Sequence, residues 1–293
     1  ATHPALAAYV VQQLTELPYS FTAHAHDIYV ERPMLEEKMR HASFVVTISA
    51  YNRRLLKQWY GAVADKTVII HCGVDPDVFQ PRDQARRNAV FTILCVASLQ
   101  DYKGHPYLVE ACRQLKDQGV AFQCLLVGEG EDRPHIEALI TEHGLQAEVR
   151  LLGQQSRDRV SVLAAEADVM VLPSVTTSSG KQEGIPVALM EALATELPVV
   201  ATAISGIPEL IEDEQTGLLV PERNAAALAA ALLRLYHDPA LGQRLGRAGR
   251  EKVLREFNLR VNTAALYTLL ERDWREPVTA LGTSLLLDEA RAE

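Results

Sequence analysis

Residues 174–194 read SVTTSSGKQEGIPVALMEALA, and the rest of the chain is interpreted around this stretch. It begins as a loop of Ser, Thr and Gly and continues as a helix. Pro186 is expected to open the helix, because proline suits the first helical position. The backbone amides of Gly184 and Ile185 come just before, where the helix dipole favours an anion such as phosphate. The stretch therefore predicts an anion-binding helix N-terminus.

Two carboxylates flank these amides, Glu183 on the loop and Glu191 inside the helix. Both would repel a phosphate, but they are suited to accept hydrogen bonds from the hydroxyls of a ribose or a sugar ring. A ligand that carries a ribose, phosphates and a sugar is a nucleotide sugar. Spacing alone is equally compatible with two glutamates on a solvated helix.

Length and composition restrict the class of protein. A chain of 293 residues predicts about two domains, and 48% hydrophobic residues is typical of a globular protein. The net charge of −9 argues against a general nucleic-acid binder. No apolar run reaches the ~20 residues of a membrane span. The four cysteines, Cys72, Cys95, Cys112 and Cys124, lack metal-site spacing and are expected to be reduced core residues of a cytosolic protein.

The second part of the chain alternates regularly between strands and helices. Strands are predicted at 90–97, 121–127, 149–152, 168–172, 198–202 and 217–220. Helices are predicted at 104–118, 133–143, 156–166, 186–196, 206–213, 224–237 and 239–275. Expected N-caps are Ser49, Asp132, Ser156 and Asn224, and expected helix-ending glycines are Gly119 and Gly144. This alternation predicts a doubly wound parallel sheet, which places the loop 173–185 at the carboxyl edge of the strands.

The first part resembles the end of a similar domain. A helix over 4–17 places Leu6, Val10, Leu14 and Leu17 on one face. Strands are predicted at 19–25, 44–49 and 68–75, helices at 33–41 and 51–59, and an interdomain linker at 76–88. Earlier strands and a Gly-rich first loop are not seen, so we expect that roughly a hundred N-terminal residues of such a domain are missing. The tail 276–293 has no evident role.

The pair Glu183 and Glu191, eight positions apart in EGIPVALME, resembles the signature of the retaining glycosyltransferases of family 4. The resemblance extends from about residue 20 to about residue 270. It implies an α/β protein of the GT-B fold, with a Rossmann-like C-terminal domain and the last part of a Rossmann-like N-terminal domain. The expected bounds are 1–80 for the acceptor-side domain, 81–255 for the donor domain, and 256–293 for a helix that crosses back and a tail.

The resemblance assigns roles to several residues. In VASLQDYKGH, 96–105, Lys103 takes the position of the lysine that holds the donor diphosphate. The family's arginine is absent and Ser98 stands in its place, so Lys181 is the candidate for the missing cation. Glu183 is expected to bind the sugar hydroxyls and Glu191 the ribose.

Further candidates come from three other segments. In TAHAHDIY, His24 matches a recurring histidine on the acceptor side, or is simply a structural histidine at the end of a strand. In GEGEDR, Gly128 begins a turn near the donor or an ordinary tight turn, and Arg133 replaces the third glycine of a dinucleotide motif. In LLGQQS, Gln154 and Gln155 are candidates for contact with the nucleotide base.

Asp75-Pro76-Asp77 matches the D-x-D pattern by which other glycosyltransferases hold a metal. The pattern is far in sequence from the loop 173–185 that carries Glu183, and the enzymes of the GT-B fold that the chain resembles do not use a metal at the diphosphate. Both aspartates are therefore interpreted as turn residues. No other His, Asp or Cys set has ligand spacing. We therefore expect neither a metal nor another cofactor.

Taken together, the residues and the resemblance predict a retaining transferase. It is expected to move a hexosyl group from a nucleoside diphosphate sugar to a glycan or lipid-linked acceptor, in surface polysaccharide biosynthesis. The expected location is the cytoplasm, with peripheral contact at the inner face of the membrane allowed through the first domain, and without a nucleic-acid partner. Two alternatives stay open: a GT-B nucleotide-sugar 2-epimerase, and a nucleotide-binding module without turnover.

Overall fold

The computed structural model describes residues 3–81 and 90–272. The chain divides into two compact units, the first formed by Ala1–His71 with Arg260–Glu293 and the second by Cys72–Leu259. Most of the predicted linker, at 82–88, and the tail 276–293 lie outside the described residues. Within the described ranges, no helix combines the length and apolar character needed to cross a bilayer.

The first unit contains a three-stranded parallel sheet. Its strands pair in sequence order and are β1 (Phe21–Ala23), β2 (Val45–Thr47) and β3 (Thr67–Ile69). Its labelled helices are α1 (His3–Thr15), α2 (Leu35–His41) and α3 (Ala50–Tyr60). The predicted cap of α3 is confirmed, since the hydroxyl oxygen of Ser49 accepts a hydrogen bond from the Asn52 amide at 3.1 Å. Residues 259–272 are also helical.

The apolar face predicted for α1 is not buried. The exposed side chains are Leu6, Val10, Leu14 and Leu17, with Leu14 as much as 79% exposed. The helix instead contacts the core through Ala5, Ala8 and Tyr9. The helical period was therefore right, but small and aromatic residues, not the aliphatic row, pack against the core of this unit.

The chain turns sharply after β1, where the prediction had a longer strand. His26–Val30 forms a single π-helical turn, and the carboxylate of Asp27 accepts a hydrogen bond from the backbone N–H of His24 at 3.0 Å. Ile28 and Tyr29 are buried by this turn. The turn consequently leaves His24 exposed at the end of the strand.

The second unit is built on six parallel strands. They are β4 (Phe91–Val96), β5 (Phe122–Val127), β6 (Val149–Gly153), β7 (Val169–Leu172), β8 (Val199–Thr202) and β9 (Leu218–Val220). Their order is β6-β5-β4-β7-β8-β9. This confirms the predicted doubly wound sheet, because the chain fills one half of the sheet outward from β4 and then the other outward from β7. The switch point lies between β4 and β7, where Ile93 pairs with Val169.

Helices cover this sheet. They are α4 (His105–Asp117), α5 (Arg133–Glu142), α6 (Arg157–Glu166), α7 (Val187–Ala194), α8 (Ile207–Leu210), α9 (Ala225–His237) and α10 (Pro239–Glu256). The predicted caps Ser156 and Asn224 are confirmed, because each side chain accepts a hydrogen bond from an amide of the first turn. Asp132 precedes α5 but its side chain makes no cap bond. Gly119 and Gly144 end their helices with φ of 73° and 62°.

Two predicted helices differ from the structure. The helix predicted at 206–213 is reduced to the four residues of α8. The helix predicted at 239–275 is interrupted at Phe257 and Asn258. There the amide of Val74 donates to the carbonyl of Phe257 at 2.9 Å, and the amide of Leu259 donates to the carbonyl of Val74 at 3.0 Å. The helix breaks because its backbone pairs with another segment, which a periodic pattern does not reveal.

The core of the second unit is formed by strands that are apolar on both faces, as parallel sheets require. Cys95, Cys112 and Cys124 are free and fully buried in it, which confirms them as reduced core residues. Cys72 is also free but only half-buried. Burial raises the pKa of the Cys72 and Cys95 thiols, so both stay protonated at neutral pH.

Candidate active site

The loops that follow β4 and β7 leave the sheet on either side of the switch point, where ligands of doubly wound sheets bind. Lys103 lies in the first loop and Glu183 in the second, 80 positions later in the sequence. Their side chains form an ion pair, and each is only 13% exposed. The fold thus brings together two of the predicted site residues.

Gly104 is the reason that the two loops approach so closely. Its φ of 71° is left-handed, and a Cβ at this position would lie 1.9 Å from the carbonyl oxygen of Pro173. Beside it, the amide of Val175 donates to the carbonyl of Tyr102 at 2.8 Å. Only glycine fits the contact, since any side chain would push the loops apart.

Glu183 is only partly occupied by its neighbours. Its Oε2 accepts from the ammonium of Lys103 and lies 3.5 Å from the hydroxyl of Ser174, a buried residue that sequence reasoning did not single out. Its Oε1 accepts no hydrogen bond from the described residues. A carboxylate has about four lone-pair sites, so Glu183 retains capacity for ligand hydroxyls.

The helix that follows the predicted anion-binding amides begins one residue later than predicted. Helix α7 starts at Val187, and Pro186 is its N-cap, not its first residue, with φ −71° and ψ 125°. The buried amides of Gly184 and Ile185 donate to no group in the described part of the chain. Unused N–H groups before a helix are the kind of site that accepts a phosphate.

Lys181 also reaches this region. Its Nζ lies 4.5 Å from the centroid of the Tyr102 ring, and the Nζ of Lys103 lies 4.8 Å from the same centroid. Lys181 is also 3.8 Å from the carboxylate of Asp101. Ser98, half-buried after β4, adds no charge. The two predicted lysines therefore lie together, on a tyrosine that sequence reasoning missed.

Glu191 projects from α7 and is half-buried. Burial raises the pKa of its carboxyl group, and the charge of Arg157 at the start of α6 acts in the opposite direction. Its carboxylate accepts no hydrogen bond from the described residues. A desolvated carboxylate without a partner is suited to bind hydroxyls. Arg157 was not foreseen, because its charge is indistinguishable in the sequence from that of a surface arginine.

The G-x-G turn packs against the loop that follows β4. Gly128 has φ 143°, and a Cβ there would lie 2.0 Å from the carbonyl oxygen of Ala97. A Cβ on Gly130 would lie 2.1 Å from the carbonyl oxygen of Leu99. The tight turn is therefore confirmed as a structural feature, while contact of Gly128 with a donor stays a prediction.

The two glutamines after β6 have different surroundings. Gln154 is exposed, whereas the side-chain amide of Gln155 donates to the carbonyl of Leu152 at 2.5 Å. Contact of either glutamine with a nucleotide base stays a prediction. In the first unit, the imidazole of His24 makes no hydrogen bond to the described residues and is exposed. Its role toward the acceptor likewise stays a prediction.

His105, the first residue of α4, is fully buried, and neither ring nitrogen has a hydrogen-bond partner in the described chain. Burial, and then the positive charge of Lys103, lower the pKa of this histidine to about 4. His105 is thus neutral at physiological pH. Sequence reasoning passed over it as part of the KGH segment.

The aspartates of the D-x-D pattern form a turn. The carboxylate of Asp75 accepts a hydrogen bond from the amide of Asp77 at 3.0 Å, and the amides of Val78 and Phe79 donate to the carbonyl of Asp75. Across residues 3–81 and 90–272, no three His, Cys, Asp or Glu side chains are grouped as metal ligands. The interpretation of Asp75 and Asp77 as turn residues fits this geometry.

Two family models match the chain. Residues 79–252 match the model described as Glycosyl transferases group 1, and residues 1–78 match the model described as Glycosyltransferase Family 4. The first match contains both loops of the candidate site.

Known proteins resemble the chain in sequence and in fold. The putative colanic acid biosynthesis glycosyltransferase WcaL of Escherichia coli K12 is 40% identical over 82% of this chain, which spans 59% of the length of WcaL. Sucrose-phosphate synthase from Thermosynechococcus elongatus superposes with a TM-score of 0.81 at 26% identity, over 93% of this chain and 72% of that one. Anabaena HepE in complex with UDP-glucose superposes with a TM-score of 0.78 at 21% identity, over 93% and 77%.

Proposed function

The chain belongs to the glycosyl transferases of group 1, with the GT-B fold, and from this premise we propose that it transfers a hexosyl group from a nucleoside diphosphate sugar to a glycan or lipid-linked acceptor. The proposed context is polysaccharide biosynthesis, by analogy with WcaL. Retention of the anomeric configuration is part of the proposal and rests on the Glu183–Glu191 signature.

Residues of the second unit share the binding of the donor, each contacting a different part of it. Lys103 and Lys181 hold the diphosphate together with the amides of Gly184 and Ile185. Glu183 accepts hydrogen bonds from the sugar hydroxyls, and Glu191 from the ribose. The UDP-glucose bound in HepE supports this class of ligand.

Transfer breaks the bond between the anomeric carbon and the diphosphate oxygen, and forms a bond from that carbon to the acceptor oxygen. Negative charge develops on the departing diphosphate, so the two ammonium groups and the amides stabilise the transition state. The acceptor proton passes to the departing diphosphate oxygen when attack and departure share one face. His24 in the first unit is the candidate to orient the acceptor hydroxyl.

One observation carries the donor assignment. The cation Lys103 and the carboxylate Glu183 come from distant parts of the sequence, yet they meet at the switch point beside unused amides. Residues of an ordinary solvated surface have no reason to converge at this position with only 13% exposure. The convergence favours a binding site for a ligand with both phosphates and hydroxyls.

Calorimetry on this chain tests the proposal. We expect UDP, GDP or ADP to bind, and the matching sugar nucleotide to bind through the same site, so that each displaces the other. Lys103→Met should weaken both. A matched control is Lys116→Met on α4, because Lys116 is a lysine of the same segment that instead donates to the carbonyl of Gly144. If none of the nucleotides binds to the folded chain, the donor assignment is wrong.

An assay of turnover distinguishes the proposed transferase from a 2-epimerase. A 2-epimerase converts its donor without an acceptor, whereas a transferase leaves the sugar nucleotide intact, apart from slow hydrolysis, until an acceptor is added. Incubation of the donor alone, followed by chromatography of the sugar nucleotides, therefore distinguishes the two. Accumulation of the 2-epimer would contradict the proposal.

A further inference from the structure

One aromatic ring contacts both lysines of the candidate site. The centroid of the Tyr102 ring is 4.5 Å from the Nζ of Lys181 and 4.8 Å from the Nζ of Lys103. The two ammonium groups are consequently no further apart than the sum of these distances, although like charges repel. The negative face of an aromatic ring attracts cations and opposes that repulsion.

We propose that Tyr102 is the positioning residue of the donor site, and that its ring gathers Lys103 and Lys181 into a two-cation clamp for the diphosphate. This inference rests on the proposed function, which assigns the diphosphate to these lysines. Ser98 offers no charge after β4, so the second cation comes from the loop after β7. Tyr102 is what connects the two cations.

Each lysine keeps the capacity to bind a phosphate while it contacts the ring. An ammonium has three N–H donors. Lys103 uses one toward Glu183, and Lys181 lies 3.4 Å from the side-chain oxygen of Gln100 and 3.8 Å from Asp101. Cation–π attraction requires none of these donors, because it acts on the charge as a whole. The remaining donors are available for phosphate oxygens.

Backbone hydrogen bonds hold Tyr102 and the loop of Lys181 in place without any contribution from the Tyr102 ring. The carbonyl of Tyr102 accepts from the amide of Val175 at 2.8 Å. In the other loop, the amide of Thr177 donates to the carbonyl of Lys181 at 2.9 Å, and the amide of Lys181 donates to the Thr177 hydroxyl at 3.0 Å. Removal of the ring should therefore release the ammonium groups without separating the loops.

Replacement of the ring gives the first test, with binding of a nucleoside diphosphate measured by calorimetry. Tyr102→Leu should weaken binding about five- to thirtyfold, as expected for loss of cation–π contacts to two partly desolvated lysines. Tyr102→Phe keeps the ring and should bind like the unmodified chain. The matching nucleoside monophosphate should be affected less, because it needs only one cation. Tyr107→Leu is the matched control, since Tyr107 contacts Arg223 and neither lysine.

A double-mutant cycle gives the second test. If Tyr102 acts through Lys181, Tyr102→Leu combined with Lys181→Met should weaken binding less than the product of the two single effects. Equal binding by Tyr102→Leu and the unmodified chain, or fully multiplicative effects in the double variant, would overturn the proposal. Tyr102→Met repeats both measurements if the Leu variant does not melt cooperatively. Failure of the unmodified chain to bind any nucleoside diphosphate would instead refute the proposed function, and this inference with it.

Discussion

At the scale of single residues, Glu183 and Glu191 differ in what already surrounds them. Glu183 is paired with Lys103, whereas Glu191 has no hydrogen-bond partner in the described chain and its pKa is raised by burial. In the proposed site the ribose contact of Glu191 does not depend on the sugar. The sugar contact of Glu183 exists only in the intact donor.

Glu191→Gln should therefore weaken the binding of the nucleoside diphosphate and of the sugar nucleotide to the same extent. Loss of a charge-assisted hydrogen bond costs about 1.5–3 kcal/mol, or roughly ten- to a hundredfold in affinity. Glu183→Gln should leave the binding of the nucleoside diphosphate intact, because it leaves Lys103 without a competing carboxylate. The same variant should weaken the binding of the sugar nucleotide. Calorimetry with both ligands measures this, and equal losses for both ligands in both variants would contradict the division of roles.

His105 makes a prediction about stability. Its pKa is about 4 in the folded chain and near 6.5 when unfolded, so the unfolded state binds more protons between these values. Above pH 6.5 the imidazole is neutral in both states, so protonation does not reduce the free energy of unfolding. As the pH falls from 6.5 toward 4, the unfolded state takes up the proton and the free energy of unfolding decreases. Between pH 7 and pH 5 the loss amounts to about 2 kcal/mol.

His105→Leu should remove this part of the pH dependence. Since neither ring nitrogen has a partner in the described chain, an apolar side chain of similar size should also be tolerated at pH 7. Urea unfolding of both forms at pH 7 and pH 5 measures the difference. The control is His135→Leu on α5, because His135 is exposed. An unchanged pH dependence in His105→Leu would show that His105 is hydrated or paired.

Residue chemistry was predictable where the resemblance supplied a motif. Lys103, Glu183 and Lys181 were named from the sequence, and the structure brings them together. Tyr102 and Arg157 were not, because an aromatic or a charged residue in a loop has no sequence signal for the ring face or the carboxylate that it approaches. Their positions follow only from which loops the sheet makes neighbours.

At the scale of elements, the six strands of the second unit were predicted to within about one residue, because continuous apolar runs are typical of strands buried in a parallel sheet. In the first unit, the strand predicted at 44–49 ends at Thr47 and the strand predicted at 68–75 ends at Ile69. Elements stabilised by tertiary contacts were predicted less well. The break at Phe257 and Asn258 arises from backbone pairing with Val74, and the exposed aliphatic row of α1 shows that an amphipathic pattern does not identify the buried face.

The junction between the loops after β4 and β7 gives an element-scale prediction. Gly104 and Gly119 both have left-handed φ, at 71° and 73°, but a Cβ meets the Pro173 carbonyl only at Gly104. Gly119→Ala should lower the free energy of unfolding by about 1 kcal/mol, because a non-glycine residue is strained in this conformation. Gly104→Ala should lower the free energy of unfolding by about 3 kcal/mol or more, because the backbone at Pro173 must move away from the new Cβ.

Donor binding should separate the two glycine variants further. Movement of the Gly104 junction displaces Lys103 from Glu183, so Gly104→Ala should bind nucleoside diphosphate more weakly, whereas Gly119→Ala should bind it normally. Thermal melting and calorimetry on both variants provide the comparison. Similar stability and affinity in the two would show that the loops do not depend on this contact.

The turn that contains Asp75 and Asp77 gives a second prediction at this scale. Since the Asp75 carboxylate is engaged with the Asp77 amide, nucleotide binding should not change when EDTA removes divalent ions. Asp75→Asn keeps an oxygen to accept that hydrogen bond and should bind nucleotide normally. Calorimetry with EDTA, with magnesium and with manganese tests this. A strict requirement for either metal would overturn the interpretation as turn residues.

At the scale of the whole molecule, the two units carry different parts of the proposed reaction. The donor residues Lys103, Glu183 and Glu191 all lie in the second unit, whose six-stranded sheet is doubly wound. The acceptor candidate His24 lies in the first unit, whose described sheet has three strands. The chain spans 59% of the length of WcaL.

The separation of roles predicts that a change on the acceptor side lowers turnover and leaves donor binding intact. Positioning of the acceptor against the donor supplies much of the rate of a group transfer, so loss of an acceptor-side contact should reduce turnover far more than donor affinity. His24→Ala should therefore lower the rate of transfer and leave the calorimetric affinity for the sugar nucleotide unchanged. Unchanged transfer by His24→Ala, or a loss of donor affinity equal to the loss of rate, would contradict this division of roles.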